Sequence, residues 1–341
     1  MPRVMVMMSG GVDSSVAAAL LHEGGHDVTG VTLKLWGGDS DSGCCSVADV
    51  EDARRVAAQL GIPHYVFNFS DGFEADVVEP YVDAYAAGET PNPCVECNRT
   101  MKFGRVLERA RRLGYDFVAT GHHARVVMTG DGPALARATD RAKDQSYVLY
   151  MLGAEELART LLPVGDLTKA EVRAHARALG LRTADKRESM DVCFIKRGER
   201  EAFLGARIPR RSGAIVDEHG VVVGTHDGID AFTIGQRRGL GVAVGERRYV
   251  TDIAAGTATV TVGPRDALLH ERVRLRDVRW SRNGCNVRAM LVQSRAHGTP
   301  ARARLDGDEL VFASPHPRVA PGQVVAFYVG DLCCGGGIVA A

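Results

Sequence analysis

Neither sign of charge dominates this chain. Its 42 Lys and Arg residues are matched by 42 Asp and Glu, so no overall basic excess announces a nucleic-acid partner, and any such surface must come from local clustering. No apolar stretch approaches the roughly 20 residues needed to span a bilayer. The first residues carry no basic segment followed by a long apolar core, so no secretory leader is expected. Eight cysteines among 341 residues are too sparse for a small disulfide-stapled scaffold. A cytoplasmic, reducing setting is expected, with neither membrane nor DNA as partner, and there paired cysteines point to redox, sulfur or metal chemistry. With 45% hydrophobic and 25% charged residues, the chain can bury one large core and leave a remainder for one or two smaller domains.

What is present is concentrated near the start. Val4-Met5-Val6-Met7-Met8 is an apolar run of the length of a strand buried on both faces, and Val16-Ala17-Ala18-Ala19-Leu20-Leu21 is strongly helix-forming. Between them lies Ser9-Gly10-Gly11-Val12-Asp13-Ser14. Two successive glycines let main-chain amides face a phosphate closely, and the free N–H groups of a new helix favour an anion. No Gly-Lys-Ser/Thr ending is present, so this is not a Walker loop; Asp13 stands where a lysine is expected, and a carboxylate amid phosphates suggests a bridging Mg2+. The plainer alternative is a turn in which Ser9 or Asp13 caps the helix.

The pattern continues as strand, helix, strand: residues 27–36, 47–60 and 64–69, then a helix over 73–87. Strands joined by right-handed crossovers build a parallel sheet. Beyond the carboxyl ends of such strands Ser9, Leu33, Gly121 and His122 should gather on one rim. The stretch from Gly88 to Arg99 contains Pro91 and Pro93 and reads as a functional loop without regular helix, carrying Cys94 and Cys97. Cys44 and Cys45 read as small residues beside a helix start, or as a metal-binding pair. Thr168 should cap a helix running to Leu179. From about residue 205 short strands replace helices, and 8- to 12-residue spacing over the last section suggests a small barrel. Arg207, Arg210, Arg211, Arg272, Arg274, Arg276, Arg295, Arg302 and Arg304 form either a tract for a phosphate backbone or solvated strand faces.

The string from Ser9 to Ser14 resembles the PP-loop signature of the N-type ATP pyrophosphatases, enzymes that adenylate a substrate and release pyrophosphate. Other motifs follow in order: Thr90-Pro91-Asn92-Pro93 before a cysteine, Ala119-Thr120-Gly121-His122, Lys143-Asp144-Gln145-Ser146-Tyr147, Cys193-Phe194-Ile195, Thr233-Ile234-Gly235-Gln236-Arg237 and Gly335-Gly336-Gly337-Ile338. Over almost its whole length the chain resembles the tRNA-specific 2-thiouridylase family. The resemblance implies an α/β PP-loop domain (adenine nucleotide alpha hydrolase-like, a parallel sheet) over 1–204. It implies a small β-rich domain over 205–266 and a β-barrel over 267–341.

It further implies ATP-dependent replacement by sulfur of the C2 oxygen of the wobble uridine, in the anticodon loop of tRNA. By that resemblance Met7, Met8, Ser9, Gly10, Gly11, Val12, Asp13, Ser14, Leu33 and Gly121 line the ATP site. Asn92, Pro93 and Cys94 contact the target base, and Lys143, Asp144, Gln145, Arg295 and Ala296 contact tRNA, although an aromatic residue is usual at the position of Ala296. Cys97 is the catalytic thiol and Cys193 carries a persulfide whose sulfane sulfur comes from a donor protein, with sulfide as the alternative sulfur source.

Residue 94 departs from the family's usual aspartate. Two routes follow: Cys193 delivers a persulfide sulfur and ends in a disulfide with Cys97, or Cys94, Cys97 and Cys193 ligate a [4Fe-4S] cluster whose open iron binds sulfide. A third thiol in place of an acid weighs toward the cluster. The competing functions are a different PP-loop ligase acting on a small molecule, and a non-catalytic RNA-binding nucleotide switch. Neither needs the paired thiols.

Overall fold

The computed structural model describes residues 1–35, 46–186, 192–195, 198–242, 245–282, 285, 287–296 and 298–341. Cys44 and Cys45 lie outside them, as does Trp36 at the end of the expected second strand.

Five parallel strands form the first sheet: β1 (Arg3–Met7), β2 (Asp27–Lys34), β3 (His64–Asn68), β4 (Phe117–Ala119) and, after a hairpin of β5 (Ala124–Thr129) and β6 (Gly132–Arg137), β7 (Thr160–Leu161). Their spatial order is β3-β2-β1-β4-β7. Side chains alternate across a strand, and β1 serves two cores: Met5 and Met7 enter one apolar cluster, Val4, Val6 and Met8 the other. The helix Val12–Glu23 covers the second face through Val16, Ala17, Ala18 and Leu21. The chain proceeds outward from β1 to β3 and then places β4 on the opposite side of β1, so β1 and β4 border the switch point where open α/β sheets bind ligands.

The central section holds β8 (Gly213–Val216), β9 (Val222–His226), β10 (Tyr249–Ala254) and β11 (Thr259–Gly263), ordered β10-β11-β8-β9 around Ile215, Phe232, Val250 and Val260. The last section is β12 (Leu269–Trp280), β13 (Met290–Gln293), β14 (Ala301–Asp306), β15 (Glu309–Pro317), β16 (Val324–Val329) and β17 (Leu332–Val339). These six run β12-β15-β14-β13-β16-β17, and β12 pairs again with β17 to close the barrel and remove its edges. Cys285 and Cys334 are joined in a disulfide; Cys333 is a buried thiol whose pKa is pushed up to about 12 by burial.

Barrel and catalytic sheet are not separate bodies joined by a linker. β6 pairs with β17, Ala136 opposite Leu332, so the hairpin extends the barrel sheet. A Cβ on Gly336 would stand 2.6 Å from the Tyr150 ring and 2.5 Å from the Val325 carbonyl, which explains the glycine run: only a bare backbone lets the barrel approach this closely.

Arg137 is the centre of the joint. Its buried guanidinium donates to Asp144 at 3.0 Å and to the Gln293 side chain, and lies 3.6 Å over the Tyr328 ring. Removing one member of a buried pair leaves the other charge unpaired, which costs about 3 to 5 kcal/mol. Arg137→Leu is therefore expected to lower unfolding free energy by about that amount in urea titration; a change under about 1 kcal/mol would show that the pair holds nothing.

Candidate active site

After β1 the backbone turns through Gly10 at φ +70, where a Cβ would stand 2.2 Å from the Asp49 carbonyl oxygen, so glycine is required by conformation and by space. Gly11 is extended and precedes the helix. The Ser14 hydroxyl accepts from the Ser9 amide at 3.2 Å and donates to the Gly11 carbonyl at 3.1 Å, and Ser15 Oγ donates to the same carbonyl at 2.8 Å. The loop is thus cross-braced from within. Lys186 braces it from outside, donating to the Gly10 carbonyl at 3.0 Å while paired with Asp49 and Asp52.

Met7, Met8, Val12 and Leu33, expected at the ATP site, have buried side chains. Gly121 behaves differently. A Cβ there would stand 2.5 Å from the Ser14 amide and 2.6 Å from the Asp13 carbonyl carbon, so the loops after β1 and β4 pack backbone to backbone. His122 beside it donates or accepts through Nδ1, 2.7 Å from Thr120 Oγ1; burial, then the charges of Lys102 and His123, hold its imidazole well below the ordinary range, hence neutral.

Asp13 sits in the first turn of the helix with two partners. Lys169 Nζ donates to both carboxylate oxygens at 2.7 Å, and His123 Nε2 lies 3.1 Å from Oδ1. Burial raises the carboxyl's pKa, but the hydrogen bonds from His123 and Lys169 outweigh it and keep Asp13 below its usual range. Lys169 opens the helix Lys169–Ala178, capped by Thr168 and Glu171 as expected at that end. The sequence reading missed Lys169 because it is 156 residues from Asp13; the capping box located the helix start, not the lysine's target.

From Asp13 a hydrogen-bonded path leads outward. The Gln145 amide donates to the His123 carbonyl at 2.7 Å, and the Gln145 side chain accepts from the His123 amide at 2.9 Å. Asp144, expected to contact tRNA, is buried and turned inward: its carboxylate takes Arg137, the Ala138 amide and both the amide and hydroxyl of Ser146. Arg137 also reaches Gln293, whose amide nitrogen donates to the Arg295 and Ala296 carbonyls at 2.9 and 3.1 Å. The turn at Lys143 to Gln145 and the loop at Arg295 and Ala296 are thereby braced together. Three of the nine arginines of the expected tract are ion-paired: Arg272 with Glu309, Arg274 with Asp308 and Arg276 with Glu89.

The segment carrying two thiols corrects the sequence reading. Residues 93–112 are helical, with Pro93 at the first position, where its missing N–H costs nothing, and Asn92 as N-cap accepting from the Cys94 amide at 3.1 Å. The stretch Cys97–Val106 is a π-helix, a form frequent at functional sites. A Cβ on Gly104 would stand 2.9 Å from the Arg99 carbonyl, five residues back, so glycine suits the wider turn. Asn92 Nδ2 contacts the Tyr147 hydroxyl at 3.4 Å and Asn98 donates to the Val148 carbonyl at 3.0 Å, which ties this helix to the Gln145 turn. On its other side Thr90 accepts from Gln323 and meets Thr233 Oγ1 at 3.4 Å, so barrel and central section both hold the helix entrance.

Cys94 is exposed, Cys97 is buried, and Cys193 is partly buried; none is in a disulfide. Cys97 and Cys193 border one apolar cluster with Val95, Met101 and Phe194. Phe194 anchors Cys193 by edge contacts with Phe73 at 5.5 Å and Tyr81 at 5.4 Å. Among the described residues no group of three His, Cys, Asp or Glu side chains stands together as a metal site.

Three family profiles match in succession: a tRNA methyl transferase HUP domain over residues 2–197, a tRNA methyl transferase PRC-barrel domain over 201–264 and an aminomethyltransferase beta-barrel domain over 270–339. The tRNA-specific 2-thiouridylase MnmA of Roseiflexus sp. (strain RS-1) is 49% identical over 372 aligned residues, covering all of both chains. This chain belongs to the tRNA-specific 2-thiouridylase family. Other members, from Chloroflexus aurantiacus at 48% identity (100% of this chain, 99% of the relative) and Mycolicibacterium smegmatis at 50% (96% of each), match at similar length. The 2-thiouridylase family is one of sulfur-transferring enzymes, and the PP-loop sheet, central β section and closed barrel together make up the length shared with these members.

Proposed function

We propose that this chain adenylates the C2 oxygen of a tRNA uridine with ATP and then replaces that oxygen by sulfur, giving 2-thiouridine. The observation that carries the reading is the hydrogen-bonded path from Asp13 in the phosphate loop, through His123 and Gln145, to the turn that braces the thiol-bearing helix. It supports a reading in which phosphate chemistry and sulfur chemistry share one frame. Paired thiols suit the thiolation named for the relatives better than methyl transfer.

A uracil oxygen is a poor leaving group, and its transfer to AMP removes that obstacle. Uracil O2 attacks the α-phosphorus and pyrophosphate departs, its charge met by the amides of the loop and helix start. Asp13 with the Ser9 and Ser14 hydroxyls offers hard oxygen donors that fit Mg2+, which takes one or two carboxylates and completes its shell with phosphates and water; bound there, it neutralises phosphate charge. The wobble uridine, in a single-stranded loop, can be splayed out beside Asn92 and Pro93.

Cys193 carries the sulfur. The terminal sulfur of its persulfide, loaded by a donor protein or sulfide plus an oxidant, attacks C2 and AMP leaves. The Cys97 thiolate then attacks Cys193 Sγ, releasing the 2-thiolated base and leaving a Cys97–Cys193 disulfide, which a dithiol reductant reopens. Both thiols border the same cluster, which suits that closure.

With ATP, tRNA and a persulfide donor, nucleoside mass spectrometry is expected to show 2-thiouridine, and pyrophosphate release should require tRNA. Release without tRNA, driven by a small acceptor, would favour a small-molecule ligase; no release at all would favour a nucleotide-gated RNA binder.

A further inference from the structure

The phosphate loop itself contains no cation. From Ser9 to Ser15 its side chains are hydroxyls, Val12 and one carboxylate, so beyond the Mg2+ that Asp13 would hold, the loop offers no cationic side chain to the phosphates, whose charge grows on the leaving group during adenylation. We propose that Lys169 supplies the missing cation: when ATP is bound, its ammonium contacts the β- and γ-phosphates that depart as pyrophosphate.

Lys169 is placed for this by three independent features. Its ammonium reaches both Asp13 oxygens at 2.7 Å, and its side chain is only 12% exposed, so it points into the loop rather than to solvent. Its backbone is fixed, because its amide donates to Asp140 at 3.0 Å and the Thr168–Glu171 capping box sets the helix start. Its position also runs against helix electrostatics. A lysine at the first helical residue opposes the macrodipole, typically costing about 0.3 to 1 kcal/mol; the same end that disfavours a cation attracts an anion.

The other lysine at the loop cannot take the role. Lys186 already serves the Gly10 carbonyl, Asp49 and Asp52. Asp13 does not lose its footing when Lys169 turns toward phosphate, because His123, itself buried, holds Oδ1 from the other side.

The inference rests on the adenylation reading. In that step the uracil O2–Pα bond forms and the Pα–O bond to the β-phosphate breaks. The electron pair stays on pyrophosphate, against the Lys169 ammonium, and the uracil N3 proton goes to water. Lys169 transfers no proton, so another permanent cation, arginine, can substitute in part.

The test compares the full-length wild type with Lys169→Met and Lys169→Arg, by calorimetric affinity for inorganic pyrophosphate without tRNA, single-turnover pyrophosphate release with tRNA, tRNA affinity and melting temperature. Lys169→Met is expected to bind pyrophosphate about ten- to a hundredfold more weakly, as for loss of one charge-assisted hydrogen bond, and to release pyrophosphate in the adenylation step about a hundredfold more slowly or worse. Its tRNA affinity should stay within about twofold, since a local change at the phosphates leaves the tRNA contacts intact. Lys169→Arg should recover most of the pyrophosphate affinity. Wild-type pyrophosphate affinity in Lys169→Met would overturn the proposal and leave Lys169 a tether for Asp13. If Lys169→Met does not fold, Lys169→Arg decides by the same affinity, where a loss equal to removal of the pocket overturns the role. Should wild type adenylate no tRNA at all, the functional reading fails, while the pyrophosphate measurement still decides on Lys169.

Discussion

Asp13→Asn is expected to slow tRNA-dependent pyrophosphate release by about two orders of magnitude or more, in the range for losing a group that organises transition-state charge, while tRNA affinity stays within about twofold because a change of one side-chain atom in the loop leaves the proposed tRNA contacts in place. The replacement keeps shape and removes charge. Lys169 is then left largely buried without its counter-charge, and His123 faces a neutral amide. The loop loses its one carboxylate and with it the donor that fits Mg2+. Equal loss of adenylation and of tRNA binding would show that Asp13 holds the fold rather than the phosphates.

The same carboxylate sets a pH signature. Its pKa is held below the ordinary value in the folded state. The stabilisation it gives is therefore fully present above the unfolded pKa of about 4 and is lost as pH falls through the folded value, because the unfolded chain takes up the proton first. In urea titrations between about pH 5 and pH 3, Asp13→Asn is expected to lose less stability than wild type. A parallel decline in both proteins would mean that the Lys169 and His123 contacts contribute nothing to folding.

How far the sequence reaches is visible in particular residues. The β1 strand and the glycine turn were readable because both signals are local: a continuous apolar run and two glycines, one at positive φ against the Asp49 carbonyl. The barrel was readable from strand spacing. Pro93 was misread as a helix breaker because its harmless place at the first helical position depends on Asn92 acting as cap, a fact of conformation. Asp144 looked like a surface acid in a charged turn; its burial follows from Arg137, which looks like any other strand-end arginine until β6 joins the barrel. The Lys169–Asp13 pair and the Cys285–Cys334 disulfide unite residues 156 and 49 positions apart, and no periodicity spans such distances. What escaped was contact between elements, and the working centre consists largely of such contact.

The largest effect is expected at Cys97. Cys97→Ser should lower 2-thiouridine formation by more than about a hundredfold, since a hydroxyl cannot replace a thiolate in attack on sulfur, while tRNA-dependent pyrophosphate release continues. Cys193→Ser should do the same and abolish the persulfide. Cys94 separates the two sulfur routes. It is exposed at the helix start while Cys97 and Cys193 share an apolar cluster, and the three do not gather as a metal site. In the persulfide route Cys94 is dispensable, so Cys94→Ala should retain activity within about fivefold, as for an exposed side chain outside the reacting pair. In a cluster route it is one of three ligands, and its loss removes iron, labile sulfide and thiolation together. Anaerobic purification with iron and sulfide assays on wild type and Cys94→Ala reads the difference directly. A brown wild-type protein whose colour and activity both vanish in Cys94→Ala would establish the cluster and require the three thiols to converge; a colourless protein that thiolates from persulfide alone leaves Cys97 and Cys193 as the complete sulfur-transfer pair.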